Sequence, residues 1–151
     1  GVIAGMQPTH APNSASMALR RLGKERAAGA YAAGLVLKTL GMIAGGSDAP
    51  VAPPNPLDGI HSAVTRTNGK LEPKGGFFPE NALTREEALK AYTIWGAYAQ
   101  FTEKEKGSLE PGKLADFVIL DQDLMAVPAD EILNLQVLAT VIGGRTVYRK
   151  Q

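Results

Sequence analysis

Few side chains in this sequence are suited to chemistry, and they gather at two points. Asp48 stands in Gly45-Gly46-Ser47-Asp48-Ala49-Pro50-Val51, directly after the short apolar run Met42-Ile43-Ala44. An acid at the carboxyl end of a buried strand can ligate a hard cation, take a proton from water, or do both. The two glycines before it permit a sharp turn and Pro50 stiffens the exit, so the carboxylate is held in place. The alternative is an aspartate that caps a helix or fastens its own loop. His10, in Gln7-Pro8-Thr9-His10, follows a second candidate strand end and so shares a rim with Asp48. A histidine there can meet a substrate or a metal, or it can be a hydrogen-bonded loop residue. His61 falls where a helical turn packs, and structural or solvent-facing roles come first for it. Ser47 lacks the G-x-S-x-G setting of a nucleophilic serine. Gly41 to Gly46 match neither phosphate-cradling glycine pattern, which sets nucleotide binding aside.

The elements that would position these residues follow from periodicity and punctuation. Val2 to Met6 reads as a strand that stops at Gln7-Pro8, where proline removes a ladder donor. Ser14 to Leu22 reads as a short helix with Met17, Leu19 and Leu22 on its apolar side and Gly23 as its left-handed stop. Lys24 to Leu40 reads as a longer amphipathic helix, on the spacing of Ala27, Tyr31, Ala32, Leu35 and Thr39, with Gly41 as its cap. A strand follows at once, and strand, helix, strand is the order of a parallel α/β unit. Ala49 to Ala82 reads as a long loop rich in proline and glycine, either a lid or a packed surface segment, with one helical turn at Ile60 to Val64. Thr84-Arg85-Glu86-Glu87 is a capping box opening a helix that runs to about Phe101, its apolar side formed by Ala88, Leu89, Tyr92, Trp95 and Ala99. Asp116 to Asp121 reads as a strand, and Gln136 to Ile142 and Arg145 to Tyr148 as a hairpin turned at Gly143-Gly144.

Composition narrows the field. The 151 residues suit one domain of ordinary size. Sixteen Lys and Arg against fifteen Asp and Glu give a net charge of +1, with no basic stripe for nucleic acid. Cysteine is absent, so disulfides and thiolate metal sites are excluded, which fits a reducing, cytoplasmic setting. The longest weakly polar stretch, Ala27 to Leu37, falls well short of the ~20 apolar residues that span a bilayer, so no membrane partner is expected. The first residues run straight into a strand, as though a longer protein had been cut.

Taken in order, "QPTH", "GSDAPV", "LTREEALKAYTIWGAYA", "GSLEPGKLADFVILD" and "VLATVIGGRTVY" resemble the C-terminal third of metal-dependent amidohydrolases of the YtcJ-like branch. The resemblance covers nearly the whole chain. It implies an α/β fold: the C-terminal portion of a β/α, TIM-like barrel over residues 1–105, and part of a small composite β-sandwich over 106–151. Val2 to Met6 would then be the seventh barrel strand and Met42 to Gly45 the eighth. It implies that Asp48 ligates a divalent metal, expected to be zinc, and acts as general base, while His10 lies near a small-molecule substrate with an amide-like or related C–N bond.

The departure from the family is as informative. The family draws further metal ligands from an H-x-H pair and other histidines, whereas this chain has two histidines in total. A catalytic zinc needs about three protein ligands and an open position. The chain is therefore expected to be part of a longer hydrolase, inactive alone, with the metal belonging to the complete enzyme and not necessarily bound here. The alternative is a non-catalytic assembly or binding module derived from an amidohydrolase. An incomplete barrel leaves strand edges and helix faces uncovered, so self-association is expected.

Overall fold

Two short strands, β1 (Ala4–Met6) and β2 (Ile43–Gly45), lie side by side in parallel, with Ala4 opposite Ile43 and Met6 opposite Gly45. The computed structural model that shows this describes residues 2–151. A parallel pair needs a crossover, and three helices supply it: α1 (His10–Asn13), α2 (Ala15–Ala27) and α3 (Ala33–Leu40). Gly41 closes α3 in the left-handed conformation, φ 81°, with its N–H donating to the Leu37 carbonyl.

Gly23, at φ 73° and ψ 163°, interrupts the helical backbone as its expected role as a stop implies, so that α2 is two helical stretches meeting there, the second ending at Ala27. The crossover differs from the sequence reading in two ways. The single helix expected over Lys24 to Leu40 is broken between Ala27 and Ala33, where Tyr31 takes a positive φ of 53°. The reason is tertiary: the Asn81 side chain accepts from the Leu35 N–H and donates to the Ala28 carbonyl, satisfying backbone groups on both sides of the break. Gly34 lets the Asn81 backbone approach, for a Cβ there would sit 3.1 Å from it. Finally, the packed face is made of the small residues Ala15, Ala18, Ala27, Ala33 and Gly34 together with Leu37, while Met17, Leu19, Leu22 and Leu35 face outward.

The segment from Ala49 to Ala82 contains a full helix, α4 (Pro56–Thr65), where one turn was expected. Its signals are local. Asn55 caps it by accepting from the Leu57 N–H at 3.1 Å, Pro56 occupies the first turn, and Arg66 ends it at φ 60°. Leu57, Ile60 and Ala63 enter the main core with Leu37, Ile43, Leu83, Ala88 and Ile132. Ile43 and Ile132 are wholly buried, each a gain of ~1.5–3 kcal/mol. Part of the remainder is packed: Phe77 seats against Ala11, Ala15, Ala18 and Ala27, and exchanges bonds with Arg66 through both its N–H and its carbonyl.

The capping box forms as expected, with Thr84 Oγ1 accepting from the Glu87 N–H and Glu87 Oε2 accepting from the Thr84 N–H at 2.7 Å. The helix it opens is two helices, α5 (Arg85–Ala91) and α6 (Ile94–Ala99), broken at Thr93. Ala88 and Ala91 are buried and Tyr92 and Trp95 pack partly against the core, but Ala99 is exposed. A second sheet closes the chain: β3 (Phe117–Leu120), β4 (Val137–Ile142) and β5 (Arg145–Arg149), antiparallel in that order. Gly143 and Gly144 turn the hairpin at φ 55° and 75°. The acids that bound β3 tie its ends: Asp116 accepts from the Gly143 N–H and Asp121 from the Gln136 N–H. The Arg85 guanidinium donates to the Leu124 and Val127 carbonyls, joining α5 to the segment between β3 and β4. The fold is mixed α/β. No helix among the described residues is long and apolar enough to cross a membrane.

Candidate active site

The carboxyl ends of β1 and β2 point the same way, so the segments that leave them, Gln7 to His10 and Gly46 to Asp48, emerge on one rim. The pairing continues one step past the strands, the Gly46 N–H donating to the Met6 carbonyl at 2.9 Å. His10 Nε2 and Asp48 Oδ2 lie 3.9 Å apart across this rim. The carboxylate is about half exposed, 53%. Among the described residues it makes no hydrogen bond to its own loop, and the cap of α4 is Asn55. His10 Nε2 is shielded from solvent and has no hydrogen-bond partner among the described residues.

The glycines before Asp48 do not act as the sequence reading supposed. Neither Gly45 nor Gly46 has a positive φ; the left-handed residue is Asp48 itself, at φ 61°, and its carbonyl accepts from the Val51 N–H at 2.8 Å. Aspartate is among the few side chains that tolerate this conformation. Gly45 serves instead to make room. A Cβ there would sit 2.8 Å from the Tyr92 ring, and a Cβ on Gly59 of α4 would sit 1.7 Å from the Tyr92 hydroxyl. Tyr92, at the end of α5, is thus wedged between β2 and α4, and its hydroxyl donates to the Gly46 carbonyl at 3.1 Å, two residues before Asp48. Burial, with the Asp58 carboxylate nearby, pushes the phenol up to about 12, so it remains a donor at any ordinary pH. The wedge escapes the sequence because its three residues are brought together only by the fold.

His61, expected to be structural or solvent-facing, is completely buried in α4, and both ring nitrogens lack a partner among the described residues. Burial lowers its pKa, which the Asp58 and Asp130 carboxylates partly offset. His61 and Thr9 border a cavity of about 320 Å³, together with Asn13, Asp58, Ser62 and Asn68. A larger open cleft of about 550 Å³, between α5, α6 and β3, includes neither Asp48 nor His10 in its lining.

The donor set at the rim suits a cation only in part. A half-exposed carboxylate without hydrogen bonds is a competent oxygen ligand. No group of three or more His, Asp or Glu that could hold a metal forms among the described residues. Asp48 therefore fits as one ligand of a divalent metal whose coordination needs further groups.

Known proteins share this arrangement of sequence and fold. The amidohydrolase family profile matches residues 1–148. Protein LONG AFTER FAR-RED 3 of Arabidopsis thaliana is 38% identical over 148 residues, 97% of this chain and 25% of that protein. The Bacillus subtilis protein named "Putative amidohydrolase YtcJ" is 34% identical over 96% of this chain and 27% of its own length. The crystal structure of a metal-dependent hydrolase from Pyrococcus horikoshii superposes with a TM-score of 0.73 at 29% identity, covering 85% of this chain and 26% of the other. The chain spans about a quarter of the length of these relatives.

Proposed function

Because the chain belongs to the amidohydrolase family, we propose that it supplies the C-terminal β/α-barrel portion, and part of the adjoining β-sandwich, of a metal-dependent hydrolase of amide-like or related C–N bonds. The observation that carries this reading is the Asp48 carboxylate, held at the carboxyl end of β2, free of hydrogen bonds to its own loop and 3.9 Å from His10 Nε2. Active sites of barrel enzymes lie at this end of their strands.

In this reading Asp48 takes the proton of the attacking water on a carboxylate oxygen, as the tetrahedral intermediate forms, and can return it to the departing nitrogen. His10 lies near the substrate, its Nε2 3.9 Å from the Asp48 carboxylate. Tyr92, by holding the Gly46 carbonyl, fixes the backbone from which Asp48 projects. A divalent metal, zinc in our reading, would be held in part by Asp48 and would, when bound, polarise the scissile carbonyl and acidify the attacking water. The 151 residues alone provide too few ligands for turnover, and the absence of cysteine agrees with a cytoplasmic enzyme.

The test is Asp48→Asn in the complete polypeptide, read as hydrolysis of simple N-acyl amides with zinc present. Loss of a general base lowers kcat by about 10²–10⁴-fold, with an unchanged unfolding midpoint. Turnover that survives the substitution, or turnover by the 151-residue chain alone, would show that the chemistry lies elsewhere.

A further inference from the structure

The loop that follows α4 sets up one side-chain amide for reaction. Asn68 is followed by Gly69, and the Asn68 side-chain carbonyl accepts from two backbone donors, the Lys70 N–H at 2.8 Å and the Glu72 N–H at 3.1 Å. Both partners are N–H groups, so the atom facing them is the amide oxygen and not the nitrogen. Two main-chain bonds close the loop, from the Asn68 N–H to the Glu72 carbonyl at 2.7 Å and from the Leu71 N–H to the Asn68 carbonyl at 2.9 Å. The Gly69 N–H and the Asn68 Nδ2 group, by contrast, make no hydrogen bond among the described residues. Gly69 and Lys70 are exposed to solvent.

We propose that Asn68 is a site of self-modification, at which the Gly69 nitrogen attacks the Asn68 side-chain carbonyl carbon, expels ammonia and leaves an acid. Nucleophile, electrophile and leaving group belong to adjacent residues, so no bimolecular encounter is needed. In the attack the bond from the Gly69 nitrogen to Cγ forms, that nitrogen gives its proton to solvent water, and negative charge develops on Oδ1. The Lys70 and Glu72 N–H groups already donate to that oxygen, and donors placed where charge develops bind more strongly in the transition state. The Cγ–Nδ2 bond then breaks, and Nδ2 takes a proton from water and departs as ammonia. What remains is a five-membered cyclic imide. One water opens it at Cγ, giving aspartate, or at the Asn68 main-chain carbonyl, giving isoaspartate with the chain running through the side chain. Either product replaces a neutral amide by a carboxylate and takes the formal net charge from +1 to zero. The aspartate form keeps both N–H partners, now as charge-assisted bonds, so the loop accommodates it. Glycine at position 69 leaves the attacking nitrogen unshielded. A Cβ there would meet nothing within 4 Å and the φ is not positive, so alanine fits the folded loop while crowding the closing ring.

The 151-residue chain is incubated at mildly alkaline pH and digested with trypsin, which cuts after Arg66 and Lys70 and so isolates the peptide from Thr67 to Lys70. Mass spectrometry should show that peptide gaining the mass of an amide NH₂ exchanged for OH, and an isoaspartyl methyltransferase should label the isoaspartate share. Asn13, Asn55, Asn81 and Asn134 should stay intact over the same interval. Conversion should run about threefold or more faster in the folded chain than in guanidinium chloride, where the two donors no longer face Oδ1. Gly69→Ala should slow it about tenfold or more, with an unchanged unfolding midpoint. The comparison of folded with unfolded chain needs no variant and decides even if Gly69→Ala proves unstable. An unaltered peptide, conversion no faster than in denaturant, equal conversion at the other asparagines, or an undiminished rate in a folded Gly69→Ala chain would overturn the proposal.

Discussion

Replacing Gly59 by alanine adds a single methyl group to the interior of α4, a change that ordinarily favours a helix by ~0.8–1.0 kcal/mol. Here it should do the opposite. The new Cβ would lie 1.7 Å from the Tyr92 hydroxyl oxygen and 2.4 Å from Cζ, so the oxygen has to retreat by about 1.3 Å merely to reach 3.0 Å. There is no room toward β2, because the Cδ2–Cε2 edge of the ring already fills the space left by Gly45. Tyr92 must leave its slot. It then gives up the bond to the Gly46 carbonyl, a net ~0.5–1.5 kcal/mol, and much of the ~1.5–3 kcal/mol that seating a large side chain contributes. Against the helix gain this leaves a destabilisation of about 1–3.5 kcal/mol. Urea unfolding followed by Trp95 fluorescence measures it directly. Gly96→Ala is the control: in α6 its Cβ would meet only the Ala91 carbonyl, at an ordinary 3.6 Å, so that variant should be as stable as the parent or slightly more so. In a Tyr92→Ala background the penalty at Gly59 should vanish. If Gly59→Ala behaves like Gly96→Ala, or keeps its penalty without Tyr92, the wedge does not organise the rim.

Two further outcomes are expected. Since burial holds the His61 pKa below its ordinary value of 6.5, the imidazole is neutral in both folded and unfolded chains above that pH, and the site adds no pH dependence there. Below it the unfolded chain takes up a proton that the folded chain does not, so stability falls by up to ~1.4 kcal/mol per pH unit until the folded imidazole is itself protonated, with Asp58 and Asp130 moderating the effect. Urea midpoints from pH 7.5 to 5.0 should show this decline, and His61→Phe should remove it; an unchanged slope in that variant would refute the assignment. The second concerns the outer face of the second sheet, where Val118 and Tyr148 flank Thr140 in register and Ile142 lies on the same side, all three apolar residues about half exposed. Sedimentation velocity should show the 151-residue chain self-associating through this face, and Val118→Lys with Tyr148→Lys should return it to a monomer; a monomeric parent chain would contradict this.

What the sequence revealed and what it hid divide by the range of the interactions. The capping box at Thr84 and Glu87, the Gly143-Gly144 turn and the Gly41 cap each act within about four residues, and each forms as its motif implies. The Asn55-Pro56 start of α4 is equally local and was legible in principle; a run of prolines and glycines on either side masked it. The helix break after Ala28 was not legible, because Asn81 acts across the fold. The same division runs through the site. Asp48 and His10 could be read from strand ends and motif, and the structure brings their side chains to one rim. What could not be read is why the chain can hold them there. Gly45 looks in sequence like a hinge that lets the backbone turn, yet its φ is negative and the turn is made by Asp48. Its missing side chain is what matters, because the space is occupied by an aromatic ring from 47 positions away. A glycine shortly before a candidate catalytic acid thus has two physical explanations, freedom of the backbone and room for a neighbour, and only the second makes the acid's position depend on α4 and α5. Under the first, alanine at Gly45 would be tolerated wherever φ allows; under the second, it strikes the Tyr92 ring at 2.8 Å and disturbs Asp48 through the Gly46 carbonyl.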